Sequence, residues 1–355
     1  MFSFRTTALE DQLDKALMSG RVGVFSTQNS WDPLKREYTS DIFRRRGNLA
    51  ISFQPRYTEL SPETNHIEFD PDDLKDLSAI VVEIQDVGVR YFNYTKDVLR
   101  LMTALHAMGE DAPAMYVVDH LNPAGRIVEG TMPSGETDQW MPRVAHRHGL
   151  TLGELTHLYY NELGARFALH VISARALASS RVLMPWTIAP SSDIAGMFTC
   201  LMYSGGGLWN HTTVTPGIGT PRPYEYIGAP FLKPSTDVAL PSPEGVLMRP
   251  CAFIPTVGRY EGEQCFGYQI LLVPGVQYHS LLHTLQLMRY FSERYSGFEF
   301  LTDFEYKLAD PFIMTYLRGE MSFQDLREYV KTEEQKWIRK AKRYVLYDDS
   351  PVRIK

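Results

Sequence analysis

The chain has little that would cross-link it, seat it in a membrane or draw it to nucleic acid. Its 355 residues include three cysteines, Cys200, Cys251 and Cys265, too few and too scattered for a disulfide framework or a paired-cysteine metal site. No uncharged apolar run reaches the roughly 18 residues of a membrane-spanning helix, so no integral membrane segment is expected. Met1 to Glu10 lack the apolar core of a signal peptide. The sequence as given therefore reads as cytoplasmic, or as periplasmic or secreted if a leader has been removed. A basic excess is missing as well. The formal net charge is -6 and the pI is near 6.0, which argues against a nucleic-acid partner. Arg44-Arg45-Arg46 is a short run that stops at Gly47 and reads as a solvated helix end. No GxGxxG follows the first apolar segment, so a dinucleotide fingerprint is absent and no cofactor is called for.

What is present is a pattern of short apolar runs that end in polar groups. Ile80 to Ile84 runs into Gln85-Asp86-Val87-Gly88-Val89-Arg90, and Ala114 to Val118 runs into Asp119-His120-Leu121-Asn122-Pro123. Between them Val98, Leu99, Met102, Leu105 and Met108 place one apolar stripe on a helix. Strand, helix, strand is the crossover unit of a parallel sheet, and such sheets hold ligands beyond the carboxyl ends of their strands. Arg21 to Ser26 and Asn48 to Phe53 read as two earlier strands, and Leu9 to Leu17 as a short helix. The fold class expected is α/β, with a three-layer parallel sheet that is Rossmann-like in topology only.

A chain of this length exceeds what one core usually organises. We expect a first domain over residues 1–165 and a smaller α/β or α+β domain over residues 166–355. Thr151-Leu152-Gly153-Glu154 is a capping box that opens a helix, giving Glu154 a structural role beside a catalytic one. His146 and His148 alternate, but without a third donor they make weak metal ligands, and no metal is expected. Ser204 to Glu225 is rich in turn residues and reads as an irregular loop. Arg249 to Tyr260 and Cys265 to Leu272 read as paired strands. His279 to Phe291 and Ser322 to Arg343 read as helices.

These segments together resemble the domain-of-unknown-function 1343 family, whose characterised members are exo-acting β-N-acetylmuramidases of peptidoglycan recycling. The resemblance rests on Ile84 to Tyr94, Asp119 to Pro123 with Gly130, His148 to Glu154, Pro190-Ser191, Tyr203 to Gly205, Gly219 to Pro230, Phe253 to Gly262 and Tyr344 to Tyr347. It implies a glycoside hydrolase acting on terminal N-acetylmuramic acid or related peptidoglycan fragments, with a muropeptide or amino-sugar ligand held in a cleft between two domains. Asp86 and Arg90 would lie at the cleft floor, Asn122 and His148 along its wall, and Tyr224 with Glu225 would arrive from the second domain. Arg90 suits a lactyl or peptide carboxylate, although an ion pair with Glu83 or Asp86 is an equal reading. Tyr94, with Tyr91 and Phe92, can stack on a sugar face or pack beneath its loop.

The departures from the family pattern bear on the reaction. The family has Phe-Ser-Pro-Glu-His-Gly after the second strand, with the glutamate favoured as acid; here the segment is Phe53-Gln54-Pro55-Arg56-Tyr57-Thr58. Aligning the proline puts Arg56 at the acid's place, and a guanidinium delivers no proton near neutral pH. Ile218 stands where the family tends to have an arginine, and Glu83 where it favours aspartate. Two readings follow. In one, the chain remains a hydrolase that recruits another acid, with Glu59 or Glu63 taking the vacant role and Asp86, Asp119 or Glu154 as partner. In the other, it is a non-catalytic carbohydrate or cell-wall-fragment binding homologue.

Overall fold

The computed structural model describes residues 20–32, 36–53, 67–172, 188–234 and 240–347. The first part of the chain is built on a parallel sheet of five strands: β1 (Val22–Ser26), β4 (Leu49–Phe53), β5 (Ala79–Glu83), β6 (Ala114–Val118) and β7 (Leu169–Ile172), in the order β4-β1-β5-β6-β7. A two-stranded ribbon, β2 (Trp31–Asp32) and β3 (Glu37–Tyr38), and helix α1 (Thr39–Arg46) connect β1 to β4. The short helix α2 (Pro71–Leu74) precedes β5, α3 (Asn93–Met108) joins β5 to β6, and α4 (Leu152–Leu163) precedes β7. β7 lies just past the boundary expected at 165/166, yet it pairs with β6 in this sheet.

All five residues of β1 and all five of β5 are buried, so these strands read as near-continuous apolar runs covered on both faces. Alternation still sorts their side chains. Val22, Val24, Ala79 and Val81 pack with Ile42 and Phe43 of α1 in a small cluster. Phe25, Ile80 and Val82 face the other way, into a cluster that takes in Val98, Leu101, Met102 and Leu105 of α3. Each of these larger side chains contributes about 1.5–3 kcal/mol on burial.

The rest of the chain forms an α+β unit. Its antiparallel sheet has β8 (Tyr226–Ala229), β9 (Val246–Phe253) and β10 (Cys265–Leu272) in the order β8-β10-β9; β9 and β10 pair as expected, but β9 starts at Val246 and ends at Phe253, so residues 254–260 of the expected strand are not strand. Around it lie α5 (Met197–Gly206), α6 (Ser280–Arg294), α7 (Phe304–Leu308), α8 (Pro311–Leu317) and α9 (Phe323–Ala341). Ser322 caps α9 by accepting from the Asp325 amide at 3.1 Å, and Leu326, Val330, Trp337 and Ala341 form its buried face. Residues 204–211, expected as loop, are helical: α5 ends at Gly206 and a 3-10 turn continues to His211. The glycines there serve close approach, since a Cβ on Gly205 would sit 2.4 Å from the Ser280 carbonyl oxygen.

The two units share one apolar cluster that runs from Phe25 to Trp337. Polar groups stitch the same boundary. The Trp337 indole donates to the His148 carbonyl at 2.9 Å. Arg147 pairs with Glu129 at 2.9 Å, both fully buried, and Glu129 also accepts from Ser204 at 2.5 Å. The Leu9–Leu17 helix expected from sequence lies outside the described residues.

Candidate active site

The strand order fixes where a ligand site belongs. From β1 the chain turns outward to β4, whereas from β5 it turns the other way to β6, so the two connections part above the β1/β5 pair, the place where open sheets of this kind form their ligand crevice, at the carboxyl ends of the strands. Ser26 and Glu83 are the last residues of those strands and are in register. Glu83 therefore stands at the switch point. Its Oε2 accepts from the Thr39 hydroxyl at the start of α1. Its Oε1 lies 3.1 Å from Nε2 of His120, which follows β6. His120 keeps 29% of its side chain exposed. Burial alone would lower its pKa, but the hydrogen bond and charge of Glu83, helped by Asp119, raise it above the ordinary histidine value.

The carboxylates that stand out most in the sequence have a different setting. Asp86 accepts from the Gly88 amide at 2.9 Å and the Thr95 hydroxyl at 2.7 Å, and His148 lies 3.3 Å away. Burial pushes its pKa up, but the facing His148 and these hydrogen bonds together hold it below the usual carboxylate value. Asp119 accepts from the amides of His120 and Gly153 at 3.0 and 2.8 Å and from the hydroxyls of Thr151 and Tyr347 at 2.6 and 2.7 Å. Its pKa is raised, by burial first and by the charge of Glu154 in addition. Glu154 completes the Thr151 capping box, receives both terminal nitrogens of Arg126, and accepts from the Leu346 amide at 2.9 Å.

The remaining residues singled out from sequence divide in the same way. Arg90 is fully buried and donates to the carbonyls of Thr131 at 2.7 Å and Leu308 at 2.5 Å, with His146 at 3.0 Å. Asn122 bridges the Leu150 carbonyl and the Ala124 amide, each at 2.9 Å. His148 accepts from the Leu150 amide on Nδ1 at 3.2 Å, which turns Nε2 toward Asp86. Tyr94 is buried edge-on against Phe92.

From the second unit, Tyr224 packs against Tyr203 with ring centroids 4.8 Å apart and planes tilted by 57°, and Tyr203 meets Tyr91 edge-on at 6.5 Å. Tyr224 holds a φ of 66°, a left-handed conformation that a tyrosine rarely adopts. Glu225 is buried beside it and accepts from Arg222 at 2.9 Å. Glu59, Glu63 and Arg56 lie outside the described residues.

His120 and Thr39 were not singled out from sequence. The available signal for His120 was its place just past an apolar strand next to one ending in a carboxylate. A cavity of about 380 Å³ lies in the second unit, lined by Thr220, Tyr226, Arg249, Cys251, Phe253 and Thr256 among others; none of these belongs to the crevice at the strand ends. No cluster of metal-ligating side chains occurs among the described residues, and none of their helices is long and apolar enough to cross a membrane.

Comparison with known proteins fits this architecture. The N-terminal family model of the exo-β-N-acetylmuramidase NamZ matches residues 63–195, and the C-terminal model matches residues 201–347. The peptidoglycan β-N-acetylmuramidase NamZ of Bacillus subtilis is 28% identical over 293 residues, which cover 78% of this chain and 69% of that protein. Crystal structures of two DUF1343 family proteins from Bacteroides fragilis share the fold with TM-scores of 0.76 at 19% and 20% identity, each match covering 96% of this chain and 97% of theirs. With both halves matched in order, the chain belongs to the NamZ family, also described as DUF1343.

Proposed function

We propose that this protein is a glycoside hydrolase of the β-N-acetylmuramidase type, releasing terminal N-acetylmuramic acid from peptidoglycan fragments held above the β1/β5 switch point. The observation that carries this reading is the Glu83–His120 pair, a carboxylate and an imidazole 3.1 Å apart at the strand ends, with the imidazole partly open to solvent. Glycosidic cleavage needs a group that stabilises positive charge on the sugar or activates water, and Glu83 with His120 supplies that half of the chemistry. Asp86, Asp119 and Glu154, each buried against several donors of the chain, then serve as the frame that holds the loops around the crevice.

The test is incubation of the purified protein with defined muropeptides, with released sugar followed by mass spectrometry. Release by the wild type that falls roughly a hundred- to ten-thousand-fold in Glu83→Gln supports the assignment. Release unchanged by that substitution overturns the role of Glu83. The second reading, a binding homologue without turnover, is favoured by Arg56 at the place where the family has its glutamate. Saturable binding of muropeptides with no release identifies that case.

A further inference from the structure

The three-stranded sheet of the second unit buries one face and leaves the other to a cavity. Ile227, Tyr268 and Ile270 point into the core. Their neighbours point the opposite way, because side chains alternate along a strand. Register sets these outer residues in rows: Tyr226, Gln269 and Arg249 lie side by side across β8, β10 and β9, and Gly228, Gly267 and Cys251 form the next row. The two glycines leave the floor low. Phe253 uses that room: a Cβ on Gly228 would sit 2.8 Å from its ring, and the ring stacks on Tyr226 with centroids 5.4 Å apart and planes 21° from parallel.

Two loops supply the rest of the lining. Thr256 holds them together, its amide and hydroxyl both donating to the Gly219 carbonyl, at 3.0 and 2.8 Å. The Thr220 hydroxyl donates to the Gly217 carbonyl at 2.6 Å. With their protons committed, both hydroxyls offer a ligand only acceptor lone pairs. Arg249 is presented differently. Its Nε and Nη2 donate to the side-chain oxygen of the buried Gln269, at 2.9 and 2.7 Å. Among the described residues no carboxylate pairs with Arg249 and nothing accepts from its Nη1. A neutral amide therefore fixes the guanidinium in place and leaves its charge for an anion.

We infer that this cavity of about 380 Å³ is a saccharide site of its own, taking a sugar that carries a carboxylate, apart from the crevice at the strand ends. Its volume falls within the range of small-molecule sites, about 300–1,000 Å³, and its lining has their usual make-up of aromatic surface with a few placed polar groups. Arg249 receives the carboxylate. The Tyr226–Phe253 pair receives the apolar face of the sugar ring, and Thr220 and Thr256 accept from its hydroxyl or amide groups. One guanidinium balances one negative charge, which suits a carboxylate better than a phosphate dianion. N-Acetylmuramic acid has all of these features. Binding here needs no turnover at Glu83, so the cavity holds a peptidoglycan fragment whether or not the crevice cleaves it.

Cys251, which lines the cavity, reports its occupancy and not that of the crevice. It is half-buried, whereas Cys200 and Cys265 are buried, so N-ethylmaleimide is expected to label it first, with the labelled residue located by peptide mass spectrometry. N-Acetylmuramic acid should slow that labelling several-fold or more in the wild type and equally in Glu83→Gln. N-Acetylglucosamine, which lacks the carboxylate, should not. In Arg249→Gln, a change at an exposed side chain, protection should vanish. Labelling unchanged by N-acetylmuramic acid, equal protection by N-acetylglucosamine or by glucose 6-phosphate, or full protection in Arg249→Gln overturns the assignment. Titration calorimetry with N-acetylmuramic acid reads the same site without the thiol: affinity roughly ten-fold or more weaker in Arg249→Gln supports it, and identical isotherms overturn it. Protection of Cys251 in a protein that releases no sugar from muropeptides overturns the hydrolase reading and supports this site.

Discussion

Two groups of carboxylates lie at the same end of the central sheet and differ in what surrounds them. Asp119 and Glu154 are buried, and every oxygen is met by donors of the chain itself. Glu83 has one hydroxyl and one histidine, the latter partly open to solvent. A carboxylate whose lone pairs are all occupied organises a fold; one with capacity left can take part in a reaction. Prominence in the sequence follows the first property more closely than the second.

The largest expected effects probe the two sides of this contrast. Glu129→Ala strands the fully buried Arg147 guanidinium and should cost about 3–5 kcal/mol of stability, read as a lowered urea midpoint. Asp119→Ala, which leaves four donors without their acceptor, should also unfold the protein at markedly lower denaturant, by about 3 kcal/mol or more. Glu83→Gln should do the opposite, removing activity while changing the unfolding free energy read from the urea midpoint by less than about 1 kcal/mol. A Glu83 variant as unstable as the Asp119 variant would erase the distinction.

Histidines carry the same contrast into pH. His283 is buried in the second unit, accepting from the Tyr278 hydroxyl at 2.9 Å and donating to the Pro241 carbonyl at 3.0 Å. Burial lowers its pKa from 6.5 to about 4. The unfolded chain therefore binds a proton that the folded one refuses, and stability should fall by roughly 3 kcal/mol as pH drops from about 6.5 to about 4. His283→Gln should flatten that part of the curve. His120 has the reverse sign: its folded pKa is raised, so its contribution is complete below the unfolded value and is lost as pH rises through the folded one. Urea midpoints of His120→Gln and wild type should converge over that interval. The smallest effect is expected far from both regions, where Ser322→Ala should cost about 1 kcal/mol by uncapping α9.

Much of the architecture was legible because its signals are local. Apolar runs gave the first four parallel strands, the Thr151 and Ser322 caps gave two helix starts, and the patterned runs before and after Gly262 gave the β9–β10 pair. The helical turn over residues 204–211 was not, because its glycines suit both a loop and the close packing they in fact serve. The site was less legible than the fold. Whether Asp119 has an oxygen to spare depends on Tyr347, 228 residues away, and for Glu154 on Leu346, 192 residues away. Neither pairing leaves a mark in the local pattern of either partner, and the bonds by which Gln28 and Asn29 hold residues 188–190 are nearly as remote.

The bonds from Leu346 and Tyr347 also bear on how the protein is made. Synthesis proceeds from the amino end, and the first unit has emerged from the ribosome long before these two residues exist. Until they arrive, Asp119 and Glu154 each lack a donor, and the parallel sheet waits with its frame incomplete. Contacts of such sequence separation are slow to form. A message cut short just before the codon for Leu346 would thus yield a chain with both units present and the closing strap missing, which proteases can recognise and remove as unfinished.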